Sequence, residues 1–303
     1  MSYDKPRVML IGAGKFGVNY IRILKELDEK GEIDFVGVCV FTEVSAVKLK
    51  REHNVMATSD YAVYLSELDA VFVVTPPDSH YKIVSECLPY VHVMCEKPLA
   101  LYSDEVDKLG LLAKENQKTL MTGQLFRFHA VTDEIVRLIK EGFKLRLPKK
   151  INAVFTNPND TYVERLVAFE FIHWFDMVVY LFPSFLIKSV ESTSTNFGKV
   201  KNVIVRYQNK KDSCKGDFVL GWEEGNKNRT FKLIYEEDTY ILADYIDQTI
   251  TVSKLGVLHN FKVEEYDTLA KEINVFLLVI RGKLINPVPP DAVKESVRIA
   301  EQI

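Results

Sequence analysis

From Arg7 onward, short unbroken apolar runs alternate with stretches whose apolar residues recur at three- and four-residue spacing. Val8–Ile11 is apolar throughout, the pattern of a strand covered on both faces. Phe16, Tyr20, Ile23, Leu24 and Leu27 then share one side of a helix predicted over Lys15–Leu27. Phe35–Phe41, Ala70–Thr75, Val91–Cys95 and Thr119–Thr122 predict further strands, with a helix over Glu43–Glu52 and other helical stretches between them. Repeated strand, helix, strand order predicts an α/β domain, residues 1–124, with a parallel sheet and right-handed crossovers.

After about Phe128 the pattern changes. Helices are predicted over Val131–Glu141 and over Glu164–Leu181, the latter stopped by Pro183, with a strand at Ile151–Thr156 between them. Strand-like runs follow at Ile187–Thr195, Asn202–Gln208, Gly216–Trp222, Arg229–Tyr235, Tyr240–Ile246 and Thr249–Val252. Thr230–Tyr235 alternates polar and apolar residues, as in a sheet with one wet face. Helical patterns return at Thr268–Arg281 and Asp291–Gln302, separated by Pro287, Pro289 and Pro290. Residues 125–303 are thus predicted to form an α+β domain on a largely antiparallel open sheet, with the closing helix packing back on the first domain.

Composition narrows the function classes. A chain of 303 residues suits one large domain or two medium ones. The net charge of -3 gives no reason to expect nucleic acid or an anionic membrane as partner. No run approaches the roughly 18 apolar residues that span a bilayer, and the N-terminus lacks a secretory pattern. The four cysteines form no CxxC pair, and three lie in apolar runs. Buried free thiols in a reducing compartment, the cytoplasm, are expected.

Gly12-Ala13-Gly14-Lys15-Phe16-Gly17 is GxGxxG directly after a strand and opening a helix. The first glycine permits a tight turn, the second lets backbone approach a pyrophosphate, and the third lets helix and strand pack closely. Free N–H groups and the helix dipole then favour phosphate charge. This is the phosphate turn of a Rossmann domain, and a dinucleotide, NAD or NADP, is the expected ligand. The acid that usually follows the second strand is missing, because Val40 occupies its position. Thr42 or Glu43 is left to serve the ribose, and Phe41 to lie against adenine.

Further motifs add to the glycine turn. Thr75-Pro76-Pro77-Asp78-Ser79-His80 ends the fourth strand and Glu96-Lys97-Pro98 the fifth. Together they resemble the Gfo/Idh/MocA oxidoreductases, as do Gln124–His129 at the exit of the first domain and the closing segment from Phe276. The resemblance implies that Lys97 sits in the active site, with Thr75, Pro76, His80 and Glu96 lining the nicotinamide end and Arg127 reaching substrate. A lysine at the C-terminal end of a parallel strand points into the ligand crevice, where its ammonium can hold a hydroxyl and stabilise a developing oxyanion. His173 and Asp176 lie three apart on one helix face in an apolar stretch, and the resemblance makes the histidine an acid or base, with the aspartate near substrate. Many members of the family it resembles carry an acid and a glycine where Phe169 and Phe171 stand, and Glu170 beside them is the candidate to replace the acid as a substrate contact. Read as metal ligands, Glu170, His173 and Asp176 fan across about 120° of helix with no fourth ligand, so no metal is expected.

The expected activity is hydride transfer between nicotinamide and a hydroxyl carbon of a sugar, polyol or nucleotide-sugar-like substrate. A recycling glycosidase or epimerase of the same family and a non-catalytic dinucleotide sensor are the alternatives. The resemblance also implies a homodimer or homotetramer formed through the C-terminal sheet.

Overall fold

The computed structural model describes residues 5–143, 146–157, 171–183, 187–194, 202–209, 214–222 and 227–303. In chain order these form β1 (Arg7–Ile11), α1 (Gly17–Glu29), β2 (Asp34–Cys39), α2 (Glu43–His53), β3 (Ala57–Thr58), β4 (Ala70–Val73), α3 (His80–Cys87) and β5 (His92–Glu96). Then come α4 (Ser103–Glu115), β6 (Leu120–Gly123), α5 (Ala130–Glu141), β7 (Lys150–Asn157), α6 (His173–Leu181), β8 (Ile187–Ser194), β9 (Asn202–Asn209) and β10 (Lys215–Trp222). The chain closes with β11 (Asn228–Glu236), β12 (Thr239–Asp244), β13 (Thr249–Lys254), β14 (Val257–Lys262), α7 (Thr268–Ile280) and α8 (Pro290–Ala300). Two compact units result: Met1–Gln124 with Leu269–Lys294, and Leu125–Thr268 with Glu295–Ile303.

The first unit is built on six parallel strands in the order β3-β2-β1-β4-β5-β6. Val8–Ile11, Ala70–Val73 and Val93–Cys95 are buried along their length, so the unbroken apolar runs reflect cover on both faces. Strand order reverses between β1 and β4, and open α/β sheets bind ligands at the carboxyl ends of the strands flanking such a switch. The returning segment finishes this unit. Phe276 of α7 meets Phe72 of β4 edge to face at 5.3 Å. Val288 O accepts from Thr122 N at 3.0 Å and the Asn286 amide donates to Leu120 O at 2.8 Å, which occupies the outer edge of β6.

The second unit carries eight strands in the order β14-β13-β12-β11-β7-β10-β9-β8. Every neighbouring pair is antiparallel except β7 with β10. Phe231, Leu233 and Tyr235 of β11 alternate with half-buried residues; Phe231 stands across from Ala153 and Leu233 from Ile151 of β7, on the buried face that Phe155 shares. Trp174 of α6 is clamped there: its ring packs on Phe155, Phe231 and Tyr245, and its indole N–H donates to Val154 O at 2.9 Å. The helix expected over Glu164–Leu181 is seen from His173, and residues 158–170, Phe169 and Glu170 among them, lie outside the described ones.

Two strands depart from the sequence reading. β3 has two residues and exists through its pairing with β2, and β14 is almost wholly exposed and, among the described residues, pairs with β13 alone. Neither needs an apolar pattern to form. All four cysteines are free and buried, and burial pushes the Cys39 thiol up to about 11 and that of Cys87 to about 12. Among the described residues no helix is long and apolar enough to cross a membrane.

Candidate active site

The glycine turn follows β1 at the switch point. Gly12 takes φ +102°, and a Cβ there would run into the Val74 carbonyl oxygen. A Cβ on Gly17 would lie 2.6 Å from Gly12 O. Around Gly14, by contrast, an added Cβ would meet nothing within 4 Å. Protein packing therefore accounts for the first and third glycines, while the middle one faces open space at the start of α1, where backbone can approach a phosphate. Ala13 is half-buried, and Lys15 and Phe16 are exposed beside it. The turn fits a dinucleotide. Gly14→Ala is expected to leave the urea midpoint unchanged and to weaken dinucleotide binding by about tenfold or more in calorimetry, whereas Gly12→Ala lowers the midpoint by strain.

At the end of β2, Val40 is half-buried and Phe41 is 99% exposed. Thr42 caps α2: its hydroxyl oxygen accepts from Ser45 N at 3.1 Å, and the hydroxyl donates to Ser45 Oγ at 2.9 Å. Glu43 accepts from the Ser59 hydroxyl. Residues 40–47 hold no lysine or arginine, so this segment offers a 2′-phosphate Glu43 and no cation. NAD is accordingly expected to bind about tenfold or more tightly than NADP, as parallel titrations would measure.

The ends of β4 and β5 are tied together from within. His80, fully buried at the start of α3, places Nδ1 2.7 Å from Pro98 O and Nε2 2.8 Å from Thr75 O. Burial lowers its proton affinity, against the pull of the two carbonyls. Glu96 accepts from the Tyr20 hydroxyl at 2.5 Å through Oε1 and from Lys97 N at 3.2 Å through Oε2. Burial, with the carboxylates of Glu96 and Glu272, pushes the Tyr20 hydroxyl far above its ordinary value. His80, expected to line the nicotinamide end, thus spends these contacts on the backbone beside Pro76 and half-buried Lys97, and Glu96, expected there too, bonds the Tyr20 hydroxyl and the Lys97 amide. Tyr20 escaped the sequence reading because it fits the apolar stripe of α1. Its place three residues after Gly17 was the available signal.

In the second unit, Arg127 lies in a short 3-10 segment, Leu125–Phe128. Its Nε and Nη2 donate to the two oxygens of Asp176 at 2.7 and 2.6 Å. The pair is sealed, with side chains 5% and 1% exposed, and the guanidinium lies 5.0 Å over the Tyr180 ring. Burial pushes the Asp176 carboxyl up and the guanidinium opposes it. Two residues expected at the substrate are thus bonded to each other. His173 opens α6 nearby, its ring 4.8 Å from Phe126 and stacked on Phe155 at 6.0 Å. Phe171 is buried against Phe155, where it fills core. His129 caps α5, Nδ1 accepting from Val131 N at 3.2 Å, and lies parallel to Phe126. Among the described residues no cluster of three or more His, Cys, Asp or Glu is placed to hold a metal ion.

Burial holds His92 and His129 down to about 4, helped by Lys118 and Arg229 respectively. Unfolded, both take up protons near 6.5; folded, near 4. Between these values the unfolded chain binds more protons, so stability falls as pH drops through that window and levels off below it. Urea midpoints recorded across the window are expected to follow that course.

Residues 6–124 match the model of an oxidoreductase family with an NAD-binding Rossmann fold, GFO_IDH_MocA. Over those residues the chain carries the NAD-binding domain of the Gfo/Idh/MocA family. It is 31% identical over 137 residues to a 2,7-anhydro-N-acetylneuraminate hydratase of Escherichia coli, covering 44% of the chain and 35% of that protein. It is 26% identical over 200 residues to an inositol 2-dehydrogenase of Arthrobacter, covering 64% and 58%. The match thus spans about a third of the hydratase's length. Its fold superposes on a UDP-N-acetylglucosamine 3-dehydrogenase of Acidithiobacillus ferrooxidans with a TM-score of 0.87 at 20% identity, over 98% of this chain and 96% of that one.

Proposed function

We propose that the chain is an NAD(P)-dependent dehydrogenase or reductase acting at a hydroxyl-bearing carbon of a sugar, polyol or nucleotide-sugar-like substrate. The observation that carries this reading is the open side of Gly14, set between two glycines that protein packing demands. The backbone of Gly12–Gly17 would hold the diphosphate, with Phe41 and the Thr75–Pro76 segment flanking the two ends of the cofactor. When bound, a nicotinamide dinucleotide supplies the hydride donor or acceptor.

Lys97 donates to the substrate oxygen and balances the charge that grows on it. His173 takes or returns the hydroxyl proton at a ring nitrogen. Arg127 and Asp176 act as positioning residues, fixing the segment before α5 against the helix that starts at His173. The relative named as a hydratase favours a second reading, in which no reduced cofactor accumulates. Incubation with NAD or NADP and a panel of sugars and polyols separates the two. Accumulating reduced nicotinamide supports the first, and product without it the second. Calorimetry showing that neither dinucleotide binds would defeat both.

A further inference from the structure

One polar side chain of the second unit is larger than its evident duty requires. His129 is the N-cap of α5, a position that Ser, Thr, Asp or Asn fills with a shorter side chain. Capping occupies one ring nitrogen: Nδ1 accepts from Val131 N at 3.2 Å. An imidazole here also makes the fold acid-sensitive, because burial and Arg229 hold its pKa at about 4 against the pull of Asp133. An asparagine cap would carry no such cost. The cap therefore does not account for the residue type.

The other nitrogen is unspent. With Nδ1 accepting, the neutral ring carries its proton on Nε2, so at neutral pH that atom is a donor and nothing else. The ring is half-buried rather than sealed, and among the described residues nothing bonds Nε2. Its surroundings are those of His173. The His129 ring lies 6.0 Å from that of Phe126, with planes at 12°, and His173 packs on the same phenyl at 4.8 Å. Tyr245 lies 5.0 Å from His129 and 5.1 Å from Phe126. This bed is pinned from within: the Thr132 hydroxyl donates to Phe126 O at 2.5 Å and shares a hydrogen bond of 2.9 Å with the Tyr245 hydroxyl. Cap and ring stack together set the direction of the Nε2 N–H before any ligand arrives.

We propose that His129 is a substrate-binding residue, its Nε2 N–H donating to a hydroxyl or carbonyl oxygen next to the carbon whose oxygen exchanges its proton with His173. A group that only donates, fixed on one side of that carbon, selects which oxygen-bearing position is presented for reaction. This rests on the function proposed above and adds to it a contact that sets regiochemistry.

The test compares wild type with His129→Asn, which keeps a capping oxygen and loses the distal donor. Both are assayed with NAD or NADP and with myo-inositol, glucose and UDP-N-acetylglucosamine, the rate being read as reduced nicotinamide or as product. For a probe that wild type turns over, the variant is expected to raise KM by about tenfold, with kcat within about threefold and dinucleotide affinity within about twofold. Its urea midpoint at neutral pH stays that of wild type. Among single-deoxy versions of that probe, the one lacking the contacted oxygen is expected to show the same KM with both chains. His129→Gln, whose amide N–H reaches further out than that of asparagine, is expected to recover most of the loss, and serves as the comparison if asparagine disturbs folding. An Asn variant with the KM of wild type shows that His129 only caps, and overturns the proposal. So does a KM penalty that every deoxy version shares, or a Gln variant no better than alanine at the same position. In each of those cases wild-type turnover leaves the oxidoreductase reading standing. A wild-type chain that binds neither dinucleotide, or turns over none of the three probes, strikes that reading and this contact with it.

Discussion

Lys97→Ala is expected to lower kcat by about a thousandfold while dinucleotide affinity stays within about twofold of wild type. The two effects separate because the bonds that hold Thr75, Pro98 and Glu96 here do not use the Lys97 ammonium. His80 ties the backbone at Thr75 to that at Pro98, and Glu96 is engaged by Tyr20 and by the Lys97 amide. Truncation therefore removes an ammonium and leaves its platform in place. Lys97→Arg, which keeps the charge but spreads it over a fork, is expected to recover part of the loss. Steady-state rates of nicotinamide reduction, paired with calorimetric titration, measure both quantities. An undiminished kcat in the alanine variant would remove Lys97 from the chemistry.

The second large effect concerns stability. Asp176→Ala leaves the Arg127 guanidinium in a sealed site without its two carboxylate acceptors, and is expected to cost about 3–5 kcal/mol in urea unfolding. Replacing both residues, with Arg127→Met and Asp176→Leu, is expected to restore most of that, because an apolar pair of similar volume bears no desolvation penalty. A role in folding alone predicts that the double variant regains activity as well. If the pair positions His173, stability returns and kcat does not. A double-mutant cycle read in both quantities distinguishes the two.

These effects fall on residues of unequal legibility. Strands β1, β4 and β5 of the first unit and its glycine turn were readable because their signals are local: an unbroken apolar run for a covered strand, and three glycines spaced for one turn. The partners of Arg127 and Glu96 were not, since Asp176 lies 49 residues from one and Tyr20 lies 76 from the other. Spacing on α6 put His173 and Asp176 on one side, but an (i, i+3) relation says nothing of a third residue that reaches the acid first. The parallel pairing of β7 with β10 inside an otherwise antiparallel sheet is likewise a non-local choice that alternation along either strand does not encode. β14 lacked any apolar alternation to read, its place being set by hydrogen bonds to β13.

The return of residues 269–294 to the first unit also sets an order of events during synthesis. Phe276 and the Asn286–Val288 edge partner leave the ribosome well over a hundred residues after β6. Until then the nascent nucleotide-binding half has one side of Phe72 uncovered and an open flank along Leu120–Thr122. A protein arranged this way finishes its first-made half last.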